Sequence, residues 1–370
     1  MLKKMKEQDM TGQKIGIYSV LHFTIDFGCA LFMFRLATVT EYFYIHFLIY
    51  NFCAFALQMP VGLLADKWNY NSIVAGAGCV LTGGTAFVSM MLINGSIGAW
   101  IYPIAVVLVG TGNCLFHVGG GIEVLNEGGS KLSPLGIFVS PGAVGIYLGT
   151  ILGKGDAFRS EIVFWVLILG GVLLLCWYQV KEKGFRSENV LLNGEWKYSG
   201  KVMVVTLLCF FIVVVLRSHL GMIFTFPWKG RLAGAVWALA AVVTGKAAGG
   251  FLADKIGVGK AILFSMPMAM ICFVFAENML FGVLGLFFFN MSMPMTLYLA
   301  AAVLNRCKGF AFGLLTFAIF IGFLPAYFGY RQCTEAVVVT MGAVSLLFLA
   351  TGWWLVKRNE SCFVSGKDGK

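Results

Sequence analysis

Apolar residues run along the chain in blocks too long for a soluble core, broken by short polar connections. A helix that crosses a bilayer needs about 20 mainly apolar residues. The pattern predicts twelve such helices, over 15–35, 42–64, 72–94, 99–121, 134–153, 161–180, 202–220, 232–252, 259–276, 279–303, 309–328 and 335–356. Only Glu277 and Asn278 part the ninth from the tenth. Short connections make consecutive helices antiparallel neighbours. The longest connection, 181–201, is read as a cytoplasmic linker between an N-terminal six-helix half (1–180) and a C-terminal one (202–370). The expected fold is all-α: a polytopic membrane protein with twelve transmembrane helices in two pseudo-symmetric halves.

Composition agrees with the pattern. Hydrophobic residues make up 59% of the chain and charged residues 12%, where soluble domains carry about 25% charged residues. Lipid accepts an apolar exterior that water does not. The net charge of +10 would suggest nucleic acid for a soluble protein, but here it has a simpler reading. With both termini on one side, that side holds 19 Lys and Arg and the other holds 7, leaving Lys246 inside a helix. Basic residues mark the cytoplasmic face, so both termini are expected in the cytoplasm, with the protein in the cell membrane. A monomer without nucleic-acid partners is expected. The ten cysteines include no C-x-x-C pair and are read as small hydrophobes. No disulfide framework, metal site or cofactor is expected. A polar stretch precedes the first helix, no cleavage pattern follows it, and no signal peptide is expected.

An internal repeat supports the two halves. Gly62-Leu-Leu-Ala-Asp66-Lys67 follows the second helix and Gly250-Phe-Leu-Ala-Asp254-Lys255 the eighth, with the two Asp 188 positions apart. The glycines permit close helix approach. Each Asp lies near a helix C-terminus, where the dipole disfavours an anion. It therefore needs a partner, either a neighbouring helix N-terminus or a cation. The element resembles the loop 2–3 signature of the major facilitator superfamily, which implies a gating role for Gly62, Asp66, Lys67, Gly250, Asp254 and Lys255. After Lys67 the first copy departs from that pattern, with Trp-Asn-Tyr-Asn.

Two polar faces stand out in the first half. His22 and Asp26 are spaced i, i+4 on helix 1, as are Asn113 and His117 on helix 4. Counted from the expected inner ends, His22 and Asp26 lie about 10 and 16 Å deep, and His117 and Asn113 about 6–9 and 12–15 Å. Ionisable groups at such depth are costly and mark a pathway or proton relay by default; the plainer reading is a hydrogen-bonded structural patch. His-x-x-x-Asp with Gly110-x-Gly112-Asn113-x-x-Phe116-His117 resembles the fosmidomycin-resistance-like transporters of the same superfamily, and departs at Val118, where that group has Pro. The resemblance implies an efflux antiporter. Helix 5, with Pro141, Gly142 and Gly145, looks like a degraded antiporter signature or simply a packing face. Lys246, two turns before Asp254, either snorkels to the interface or faces the cavity as a counter-charge.

These features predict a secondary active transporter in which Asp26 and His22 carry the coupling proton. Asn113, His117, Lys246 and Asn290 would line the substrate cavity. The expected cargo is a small amphipathic or anionic compound, moved by proton-coupled efflux. The alternative is a proton-coupled importer of a small metabolite. More remote are an integral membrane acyl-transfer enzyme using His22 as general base and a membrane sensor or scaffold. A non-enzyme is expected.

Overall fold

The computed structural model describes residues 2–93, 95, 98–155, 159–181 and 198–365. The regular structure among them is helical. Twelve long helices follow one another: α1 (Leu2–Leu36), α2 (Phe43–Trp68), α3 (Asn71–Ile93), α4 (Ile101–Gly128), α5 (Ser133–Gly153), α6 (Arg159–Lys181), α7 (Gly200–Ile223), α8 (Leu232–Ile256), α9 (Val258–Val274), α10 (Met279–Val303), α11 (Lys308–Tyr327) and α12 (Glu335–Ser365). Eleven are long and apolar enough to cross a bilayer, and α9 is a shorter apolar helix of 17 residues. Large apolar side chains such as Val80, Val180, Leu232 and Leu347 are exposed. That exterior suits lipid rather than water. Most of the 181–201 linker lies outside the described residues.

Two expected ends move. Helix α1 extends back to Leu2, and Lys14 on its first apolar turn is held by Glu123 and Glu127 of α4, both at 2.6 Å. Helix α4 continues to Gly128 rather than stopping near 121. Both polar faces therefore lie farther from these helix ends than the sequence count placed them.

Local breaks have local causes. A π turn at Phe52–Ala56 interrupts α2, which ends on Asn69 in the left-handed region (φ 57°). Helix α10 is broken at Met291. Pro294 has no N–H to donate to the Asn290 carbonyl, and the Asn290 amide turns back to the Leu286 carbonyl at 2.8 Å. Gly257 (φ 88°) makes the tight turn from α8 to α9 that a side chain would strain.

In the N-terminal half, α5 packs along α1 through its glycines. A Cβ at Gly145 would come 2.9 Å from the Phe27 nitrogen, and one at Gly149 the same distance from the Leu31 nitrogen. Small residues bring membrane helices this close, and here they seat the polar face of α1 against α5. The halves meet along α2 with α11 and α5 with α8.

Candidate functional site: a buried His–Asp–His cluster between α1, α4 and α5

Helix period places His22 and Asp26 on one face of α1, and Asn113 and His117 on one face of α4. The ends of both helices put the pairs in register. His22 and His117 each lie about 16 Å from Thr11 and Gly128 respectively, and Asp26 and Asn113 about 22 Å. The four residues meet. His22 Nε2 is 2.9 Å from His117 Nε2 and 3.2 Å from Asp26 Oδ2, and His117 Nε2 is 3.6 Å from Asp26 Oδ1. Asn113 donates its amide to Asp26 Oδ1 at 3.2 Å, and its Oδ1 is buried without a partner.

The outer nitrogens fix the tautomers. A carbonyl oxygen only accepts, so His22 Nδ1 donates to the Phe138 carbonyl at 2.7 Å, and His117 Nδ1 to the Asn113 carbonyl at 2.9 Å. Both Nε2 atoms then point lone pairs into the space they share. Phe116 and Phe138 pack on His22 and screen it from solvent. From α5, Gly142 faces the cluster; a Cβ there would come 2.5 Å from His22 Nε2.

The C-terminal half brings cations. Lys246 on α8 is half-buried, donates to the Val139 carbonyl of α5 at 3.3 Å, and lies within electrostatic reach of Asp26 and of Arg217. Its side chain thus reaches across to α5. The sequence pattern ended the seventh helix at 220, three residues past Arg217. Instead α7 continues to Ile223, because the residues after His219 are again apolar, and the Arg217 guanidinium donates to Ser292 Oγ at 3.4 Å beside the break in α10. Sequence reading did not place Arg217 beside this break; the apolar run after it was the available signal. Asn290 belongs to the same break, with its side chain turned back on its own helix.

The repeated loops sit apart from this cluster, at the end of the molecule where α1 begins and α4 ends. Asp66 accepts from the Gly309 and Phe310 nitrogens at 2.8 and 2.9 Å, the first turn of α11. Asp254 accepts from the Leu132 and Ser133 nitrogens at 2.7 and 3.0 Å, at the start of α5. Each Asp of one half thus caps a helix of the other half, taking the helix N-terminus of the two partners open from sequence. Gly62 lies against Gly309 of α11, and a Cβ at Gly250 would come 2.7 Å from the Leu132 oxygen. Lys67 and Lys255 are exposed.

No protein-family model and no curated protein sequence matches the chain. Solved structures do. The chain is similar to the E. coli fucose:proton symporter FucP, with 13% identity, a TM-score of 0.59, and coverage of 92% of this chain and 98% of that one. FucP in its outward conformation aligns at a TM-score of 0.62 and 12% identity, covering 91% and 98%. A bacterial homologue of the iron transporter ferroportin, outward-facing, aligns at 0.57 and 12%, covering 95% and 99%. The fold is that of the major facilitator superfamily transporters. None of these neighbours is an enzyme.

Proposed function

We propose that the chain is a secondary active transporter working by alternating access, with the coupling proton held by His22, Asp26 and His117. The carrying observation is the facing pair of Nε2 atoms. Each imidazole donates its Nδ1–H to a backbone carbonyl, so two neutral rings would set lone pair against lone pair at 2.9 Å. A proton between them removes the conflict, and the Asp26 carboxylate balances its charge. A titratable group at mid-span beside the seam of the two halves is suited to take up a proton from one side and release it to the other. His117 thereby joins the proton site rather than only lining the substrate cavity.

In this reading the halves 1–180 and 202–370 rock against one another, and Asp66 and Asp254 gate the movement. With both termini in the cytoplasm the two caps close the inner end. This agrees with the outward conformations named for two of the structural neighbours. The motif resemblance favours efflux by proton antiport across the cell membrane. Lys246 and Arg217 favour a small compound with an anionic group, and the unpartnered Asn113 oxygen offers it an acceptor.

Those same two cations also favour a second reading. An anion bound to Lys246 and Arg217 draws Lys246 from Asp26, so that substrate and proton bind together, as in a proton-coupled importer. The test begins with a thermal-shift panel of anionic and amphipathic compounds. The stabilising compound is then followed in proteoliposomes under a pH gradient. Antiport moves it against the proton flow and symport with it; movement indifferent to the gradient contradicts both.

A further inference from the structure

The three residues of the cluster form a donor set that fits more than a proton. Three ligand atoms, two imidazole Nε2 and a carboxylate oxygen, lie within 4.8 Å of one another. His22 Nε2 stands 2.9 Å from His117 Nε2 and 3.2 Å from Asp26 Oδ2, while His117 Nε2 reaches the other carboxylate oxygen, Oδ1, at 3.6 Å. Ligands about 2.0–2.1 Å from one ion, at angles between octahedral and tetrahedral, stand about 2.8–3.4 Å apart; the first two separations fit, and a small turn of the Asp26 carboxylate brings one oxygen to both nitrogens. The outer partners are also those of a metal site. Histidines that bind metal donate their other ring N–H to a carbonyl or carboxylate, which fixes tautomer and ring orientation. Both imidazoles here do so, and Asn113 orients the carboxylate. The two rings meet at 87°, so their lone pairs approach the shared space from different directions. The absent side chain at Gly142 keeps neighbouring atoms off His22 Nε2.

We infer that His22, Asp26 and His117 bind one divalent first-row transition-metal cation in exchange for the proton they share. Imidazole suits Zn²⁺, Co²⁺, Ni²⁺ or Cu²⁺, whereas Mg²⁺ and Ca²⁺ prefer all-oxygen shells. The inference rests on the transport reading of this cluster and gives its antiport form a substrate class: a cation that competes with the proton for the same atoms. A divalent ion replacing one proton leaves the site one charge above what Asp26 balances. Three protein ligands leave a further position open, which an anionic group drawn by Lys246 and Arg217 can fill. No signal in the spacing of the cysteines bears on this site, because its ligands come from two helices 95 positions apart.

The test uses the full chain, purified in detergent without a histidine tag, and titrated with Co²⁺ and Zn²⁺. The expected result is one equivalent bound, a Co²⁺ visible spectrum of nitrogen–oxygen ligation, X-ray absorption at the zinc edge with two imidazoles, and proton release on binding. His117→Ala and Asp26→Asn should each weaken binding at least tenfold. Lys246→Met should tighten it several-fold by removing a like charge, an effect that misfolding does not mimic. Absence of bound metal in the wild-type protein would overturn the inference, as would a shell without two imidazoles or equal binding after His117→Ala in a variant with wild-type circular dichroism. Binding is read without flux. A chain that binds no metal but still moves an organic compound under a pH gradient would sink this inference alone, and metal binding without any gradient-driven flux would sink the transport reading alone.

Discussion

His22 and His117 present their Nε2 atoms to each other at 2.9 Å, from helices whose pairing puts the two residues at the same depth. Neither ring is free to turn away, because each Nδ1 is tied to a carbonyl, the Phe138 carbonyl for His22 and the Asn113 carbonyl for His117. One imidazole alone has no second Nε2 to share a proton with, and His22 is left facing only Asp26 Oδ2 at 3.2 Å. His117→Asn is therefore expected to fold, to lose the dependence of transport on a pH gradient, and to keep its affinity for the organic compound found by thermal shift within a few-fold. Circular dichroism and ligand-induced thermal shift check the first and last points, and proteoliposome flux the second.

Gly142 gives a more local test. A Cβ at this position would press on His22 Nε2 and the Asp26 carboxylate, so Gly142→Ala should displace the cluster and reduce gradient-driven flux at least tenfold. Gly84 on α3 has open space where a Cβ would go. There Gly→Ala should be neutral or stabilising by up to about 1 kcal/mol, from helix propensity alone. Flux and thermal unfolding of the two variants, side by side, separate a site effect from a general helix effect.

Asp66 and Asp254 cap helices α11 and α5 across the seam between the halves. Loss of a helix cap costs about 0.5–2 kcal/mol. Asp254→Asn weakens acceptance from the Leu132 and Ser133 nitrogens without changing the shape. It should loosen the terminus-bearing end and slow turnover while leaving substrate affinity within a few-fold. Cysteines introduced beside Gly250 in an otherwise cysteine-free chain should become more reactive in this variant. Unchanged reactivity with a large loss of affinity would place Asp254 in substrate binding instead.

At the far end of the N-terminal half, Arg35 of α1 pairs with Glu161 of α6 at 3.2 Å; Arg35 also binds the carbonyls of Leu152 and Gly155, and Ser89 donates to the same Glu161 oxygen. The pair is buried, at 3% and 0% exposure. Breaking a buried pair from one side costs about 3–5 kcal/mol, because it strands a charge. Arg35→Met and Glu161→Gln should each destabilise the protein in thermal unfolding, with the double variant less affected than the two effects added.

Much of this was legible in the sequence, for physical reasons. Lipid forces a long apolar run for every crossing, so the twelve helices could be read directly from the chain. The repeated Gly–Asp–Lys elements marked the two corresponding helix ends. The i, i+4 spacing put His22 with Asp26 and Asn113 with His117 on common faces. Where α1 began and α4 ended was not legible, since Lys14, Glu123 and Glu127 read as interfacial polar residues until they are seen to satisfy one another. The seventh helix was ended three residues early because the charge of Arg217 near the end of an apolar run looks like a boundary. The contact between the two imidazoles could not be read at all: side-chain spacing fixes a face, but how two faces meet depends on the packing of α1 against α4 and α5. For the same reason, a chain without a cysteine metal motif gave no hint of a donor set.

The most direct test of the account lies in Asp26. Asp26→Asn keeps the size and shape of the side chain while removing the charge that balances the proton at His22 and His117. The measurement is uphill movement, under an imposed pH gradient, of the compound found by thermal shift, in proteoliposomes of wild-type protein and of Asp26→Asn. The account predicts gradient-driven accumulation in the wild type. It also predicts a folded variant that still binds and exchanges the compound downhill but no longer responds to the gradient. An Asp26→Asn protein that drives uphill transport with the wild-type pH dependence would contradict it.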